Sequence, residues 1–200
     1  MPDLIKPDAL KLHSSARGRA AAGYATRVAQ NTALPDYLDL SGKMCWVAAL
    51  YCAVQADALS KKYFEKVQHQ ITFQTYSFFV CPTDAAIVSA IEMRALPQGC
   101  ILAFFDFSFT PAKLVHAMIS SGAGFACGNK NSCIGVGRDV GWESHNLAEK
   151  LKWAAGTDGF TAPETDVSPG KSKTRILKIR YRPLELMDPP TRSLNFKKLG

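Results

Sequence analysis

The stretch from residue 96 to residue 136 constrains the fold of this chain most tightly. Leu96-Pro97-Gln98-Gly99 is a turn, and the apolar run CILAFFDF over 100–107 reads as a buried strand. A loop over 108–113 leads into LVHAMIS at 114–120, a second strand. Ser121-Gly122-Ala123-Gly124 is a tight turn before a third short strand at 125–127. Gly128-Asn129-Lys130-Asn131 turns again into a fourth strand over 132–136. Strands separated by such short glycine-rich turns pair as an antiparallel meander, because parallel pairing needs a crossover of a dozen or more residues.

Helical patterning lies upstream. In residues 41–68, Cys45, Ala48, Ala49, Cys52, Ala56 and Leu59 recur at helical spacing. With Ser41 as N-cap this segment reads as one helix, with Cys45 in its first turn. The alanine-rich run 16–29 reads as a helix weakened by Gly18 and Gly23. Pro35 and the residues after it read as a loop. Residues 69–80 read as extended, 85–95 as a short helix capped by Thr83 or Asp84, and 143–155 as a helix. Residues 161–173 are polar, contain Pro163 and Pro169, and read as a linker. TRILKIRYR at 174–182 alternates Leu177, Ile179 and Tyr181 with Lys178, Arg180 and Arg182, a half-buried strand with a basic outer face. The expected fold is α+β, a helix packed on a small antiparallel sheet. The expected organisation is one domain over 1–200, with an arm at 1–40, a core at 41–160, and a linker and basic strand at 161–200.

With 47% hydrophobic and 20% charged residues, the 200-residue chain suits a globular domain that buries a real core. No apolar run approaches the ~18 to 20 residues of a membrane span. The N-terminal MPDLIKPDAL has no apolar h-region, so no cleavable signal peptide is expected. A chain of this length without a signal is expected to keep its six cysteines reduced rather than as a disulfide framework. The net charge of +7 sits entirely in residues 171–200, where nine Lys and Arg face Glu185 and Asp188. That is a basic patch suited to an acidic partner or an anionic membrane. Tyr181 and Phe196 are its only aromatics, so nucleic acid is not expected.

The candidate chemistry is nucleophilic. A thiol acts as a nucleophile when its thiolate is stabilised, and a helix start supplies partial positive charge and unpaired N–H groups. Cys45 stands at such a start. His116, flanked by Val115 and Ala117 in an apolar strand, is the candidate base. An isolated histidine there would be costly without a partner.

This pattern resembles the core of papain-like and NlpC/P60-like cysteine enzymes. Its matching residues are Cys45-Trp46, Leu96-Pro97-Gln98-Gly99, the strand beginning at Cys100, and His116-Ala117-Met118-Ile119, within 41–137. In size, lack of a signal and Cys-His-Asp order the chain looks most like TecA-type effectors of type VI secretion systems. The resemblance implies a papain-like fold and a thioester mechanism. It implies deamidation of an asparagine in host Rho GTPases by a bacterial protein exported without a cleavable signal into the host cytosol. It implies a triad of Cys45, His116 and Asp158. The NlpC/P60-like alternative puts Asn129 or Asn131 third, and Asp139 is a further option. The oxyanion hole would use the Cys45 N–H, since no Gln or Asn closely precedes Cys45. A peptidoglycan amidase or protease of the same fold, and a non-catalytic binding module, are the alternatives.

Other motifs carry less. Gly135-Val136-Gly137-Arg138-Asp139-Val140-Gly141 spaces its glycines as GxGxxxG with no βαβ unit around it, so it reads as a turn rather than a dinucleotide site. Cys127 and Cys133 with His116 or His145 lack any CxxC or HExxH spacing, so neither metal nor cofactor is expected. His13 and His69 have no readable partner.

Overall fold

A computed structural model describes residues 15–69, 86–110, 112–129, 134–135, 141–163 and 174–184. The first helix, α1 (Ala16–Gln30), starts where the Ser15 hydroxyl accepts the Gly18 N–H at 2.8 Å. Its buried face is Gly18, Ala21, Ala22, Ala25 and Val28. These small residues let the helix lie close to the sheet.

The segment read as one helix over 41–68 is broken. Residues after Pro35, expected to be a loop, form α2 (Pro35–Gly42), with proline in the first turn where its missing N–H costs nothing. Ser41 lies inside α2 and caps nothing; its hydroxyl accepts the Trp142 N–H at 3.0 Å. Lys43 and Met44 are extended, and α3 (Cys45–Gln55) begins afresh. It ends before Asp57, which has a positive φ of 53°, and α4 (Lys61–Val67) restarts behind a Ser60 cap.

Residues 70–85 hold the expected extended segment and the Thr83 or Asp84 cap, and they lie outside the described residues. Beyond them come a two-residue strand, β1 (Ala86–Ile87), and a shorter helix than expected, α5 (Ala90–Ala95). The cap of α5 is Ser89, which accepts the Glu92 N–H at 3.2 Å while the Glu92 carboxylate takes the Val88 N–H at 3.1 Å. That is the reciprocal arrangement of a capping box, moved back by one residue.

The meander is present as β2 (Cys100–Asp106), β3 (Lys113–Gly122) and β4 (Phe125–Asn129). The fourth strand is not at 132–136. Of those residues Ile134 and Gly135 are described; they form a turn, and Gly135 has a φ of 80° that no regular strand accommodates. The strand paired to β4 is β5 (Trp142–Asn146), in a segment expected to be helical. Pairing with β4 and burial of Trp142 and His145 override the helical pattern, leaving only α6 (Leu147–Lys150). The sheet continues through β6 (Lys152–Trp153), β7 (Phe160–Pro163) and β8 (Thr174–Pro183).

All described pairings are antiparallel, in the order β5-β4-β3-β2-β8-β7-β6, with β1 also on β8. The fold is thus α+β. Both faces of the sheet are buried. Ile101, Ala103, Phe105, Ala117, Ile119 and Cys127 face the layer of α1 to α4. Leu102, Phe104, Met118, Ala126, Phe160 and Ile179 build a second core on the opposite face. The alternation of a strand, period two, sorts neighbours into different cores.

The last strand is pinned at the end of β2. Asp106 is fully buried; it accepts the Ser108 N–H at 2.9 Å and the Arg175 guanidinium at 3.1 Å. Burial pushes its carboxyl up, but the bonds from Ser108 and Arg175 outweigh this and hold it below the usual carboxylate range. Its folded pKa is depressed, so its contribution is present above the unfolded carboxylate value and fades as pH falls through the folded one. Asp106→Ala is expected to cost about 2–3 kcal/mol in denaturant titrations at neutral pH, with the deficit shrinking in acid. A deficit that stays constant down to acid pH would contradict this account.

Candidate functional site

The start of α3 is unusual in how its backbone is satisfied. Met44, its N-cap, offers no side-chain acceptor. The Cys45 sulfur lies there instead, with the N–H groups of Cys45, Trp46 and Ala117 as its hydrogen-bond donors. Ala117 belongs to β3 and faces the helix layer, so a methyl side chain is what lets the helix start approach the strand backbone. Burial pushes the Cys45 thiol up, and the three N–H groups pull it only part of the way back.

Several side chains fix this helix start. Trp46 Nε1 donates to the Val67 carbonyl at 3.2 Å. Asn129 Nδ2 donates to the Lys43 carbonyl at 2.6 Å, and Trp142 Nε1 to the Ala25 carbonyl at 2.9 Å. The Asn129 Oδ1 is buried and has no hydrogen-bond partner among the described residues.

The structure sets Cys45 and His116 against opposite faces of β3. His116 lies on the other face of β3, one residue from Ala117, with its ring tilted on Phe104 at 5.6 Å between centroids. It is fully buried, and its ring N–H donates to the Asn129 main-chain carbonyl. Burial pushes the His116 pKa down to about 3, and the nearby His145 adds to the effect. An imidazole that weakly basic is a poor proton acceptor at neutral pH.

Asp158 does not orient His116 either. It sits in the turn before β7 and is ion-paired with Lys178 on β8. Burial pushes its carboxyl up, but Lys178 and then Arg180 hold it below the usual range. Between β7 and β3 lie β8 and β2, three steps of about 4.8 Å. Of the alternative third members, Asn129 stands beside the start of α3 but meets His116 through its main chain. Asn131 and Asp139 lie outside the described residues.

The basic face of β8 is half-buried. Arg175 is committed to Asp106, and Lys178 and Arg180 stack on Phe107 at 5.1 and 6.0 Å. Arg182 is buried. Cys45, Cys52, Cys100 and Cys127 are free thiols, while Cys81 and Cys133 lie outside the described residues. Among the described residues no three His, Cys, Asp or Glu side chains converge as metal ligands, and no helix is long and apolar enough to cross a membrane.

One polar cluster was not legible in the sequence. The hydroxyls of Thr26, Ser121 and Ser144 gather on the Cys127 sulfur, Thr26 at 3.6 Å. They come from α1, β3 and β5, and no local spacing signals such a meeting. Comparisons with protein-family models, with curated proteins and with solved structures found no match.

Proposed function

We propose that the chain is a cysteine-dependent amide hydrolase with Cys45 as nucleophile. What carries the proposal is the Cys45 sulfur at the first residue of α3, facing three main-chain N–H groups. Such donors stabilise a thiolate, and the same groups stabilise the oxyanion that forms when it attacks a carbonyl. The Cys45 proton passes to a solvent base, since the buried His116, with its pKa pushed down to about 3, is too weakly basic to take it. The thiolate then adds to the carboxamide carbon, the C–N bond breaks, and ammonia leaves with a proton from water. A second water hydrolyses the thioester, releasing the carboxylate and restoring the thiol.

The resemblance to TecA-type effectors supplies the substrate class, an asparagine side chain of a host Rho-family GTPase. It also supplies the setting, a bacterial effector exported without a cleavable signal and acting in the host cytosol. The charge excess of residues 171–200 supports docking to an acidic partner or an anionic membrane.

The test is mass spectrometry of a Rho GTPase incubated with the protein. A gain of about 1 Da on one asparagine is expected, and Cys45→Ala abolishes it. The thiol pKa is raised and only the thiolate reacts. The rate should therefore climb about tenfold per pH unit through neutrality, with no acid limb from His116. Release of muropeptides from cell-wall sacculi, with no change in the GTPase, would replace this reading by the peptidoglycan amidase. A second reading, a non-catalytic binding module with a papain-like core, is favoured by the packing of the His116 ring on Phe104, on the sheet face opposite the helix layer. It predicts GTPase binding without any mass change.

A further inference from the structure

A cavity of about 540 Å³ opens between α1 and the β3–β4 hairpin, far from Cys45. Ala117 and Gly122 are five residues apart on β3, roughly 16 Å along the strand. Its volume falls in the range that holds small ligands. Three features of its lining define what would fit. Among the described residues, Arg27 is the sole charged group of the lining, and no carboxylate is there to neutralise it. Its guanidinium makes no ion pair with a described residue and lies over the Tyr24 ring, 5.3 Å from the centroid. A planar guanidinium fork matches a carboxylate in two-point contact.

The floor is a set of hydroxyls, Thr26, Ser121 and Ser144, each tied to the Cys127 sulfur beneath. A hydroxyl that has one such partner keeps lone pairs that accept N–H groups. The third feature is Phe125, 40% exposed, which offers an apolar wall. One cation, hydroxyl acceptors and one aromatic face are the complement of the C-terminal end of a peptide: carboxylate, amide N–H and apolar side chain.

We infer that this cavity binds a peptide-like carboxylate, with Arg27 on the carboxylate, Ser121 and Ser144 on amide N–H groups, and Phe125 against the side chain. The site is independent of the thiol reading, and Cys45→Ala is expected to bind like the parent.

The experiment is calorimetric titration of the full chain with N-acetyl-Ala-Phe and, separately, with its C-terminal amide. Saturable binding of the acid with a Kd of about 1 mM or tighter is expected, and the amide should bind at least about tenfold more weakly. Arg27→Gln, an exposed position whose change leaves the fold intact by circular dichroism, should weaken the acid by about tenfold and leave the amide unchanged. Ser144→Ala should weaken acid and amide alike. No saturation by the acid, equal binding of acid and amide, or parental affinity in Arg27→Gln would each overturn the proposal.

Discussion

Replacing Gly99 with alanine is expected to destabilise the protein by about 3 kcal/mol or more. Two costs add. Gly99 has a φ of 81°, which an L side chain adopts at a cost of roughly 1 kcal/mol. A Cβ there would also lie 2.3 Å from the main-chain carbonyl of Gly18, so α1 must lift off the turn. The obstacle is backbone and cannot rotate away. Gly99 is a junction as well: its N–H donates to the Ser120 carbonyl at 2.9 Å, and its carbonyl accepts the Leu184 N–H at 3.0 Å. Gly23 is the control. It lies on the exposed side of the same helix, and a Cβ there meets nothing within 4 Å. Gly23→Ala should therefore stabilise by about 0.5–1 kcal/mol. Urea midpoints of the two variants that move in the same direction would refute this account of the α1–turn contact.

Replacing His116 with alanine is expected to cost about 2–4 kcal/mol while leaving Cys45 alkylation by iodoacetamide within about twofold of the parent. The stability loss comes from the void beside Phe104 and the abandoned Asn129 carbonyl. The unchanged alkylation reflects the opposite faces of β3. A base that activated Cys45 would show the reverse, with alkylation slowed many-fold. The pH dependence gives a second readout. The folded His116 pKa of about 3 lies below the ordinary histidine value near 6.5. Between these values the unfolded chain binds a proton that the native state refuses, so stability falls as pH drops through this window. The linked loss is on the order of 5 kcal/mol once the pH is below both values. His116→Gln removes that slope. Parallel stability–pH curves for parent and variant would refute the assignment of a neutral buried imidazole.

The sequence resolved some of this and missed the rest for identifiable reasons. The glycine-punctuated apolar runs gave β2, β3 and β4 close to their true limits, because turn residues and buried strands are local signals. Cys45 does stand in a first turn. The break between α2 and α3 was hidden because Asn129, Trp142 and the residues they bind are distant in sequence. Glu143 to Asn146 looked helical because the pairing that makes it a strand is with β4. Which core His116 faces is a matter of parity. In a strand buried on both faces every position is apolar or satisfied, so the pattern does not reveal which alternate set meets the helix. The small residue Ala117 meets it, and the histidine beside it faces away.

The position of β8 has a consequence for how the chain acquires its structure. The last of the described strands in chain order is central, wedged between β2 and β7. As the polypeptide emerges from a ribosome, β2 and β3 can pair early, yet β2 keeps one bare, strongly apolar edge until residues beyond 174 arrive. That edge is a template for wrong partners, including the same segment of neighbouring nascent chains. The cell that makes this protein faces its greatest hazard of misassembly in that interval, and a shield over β2 during synthesis would matter more than one over the finished surface.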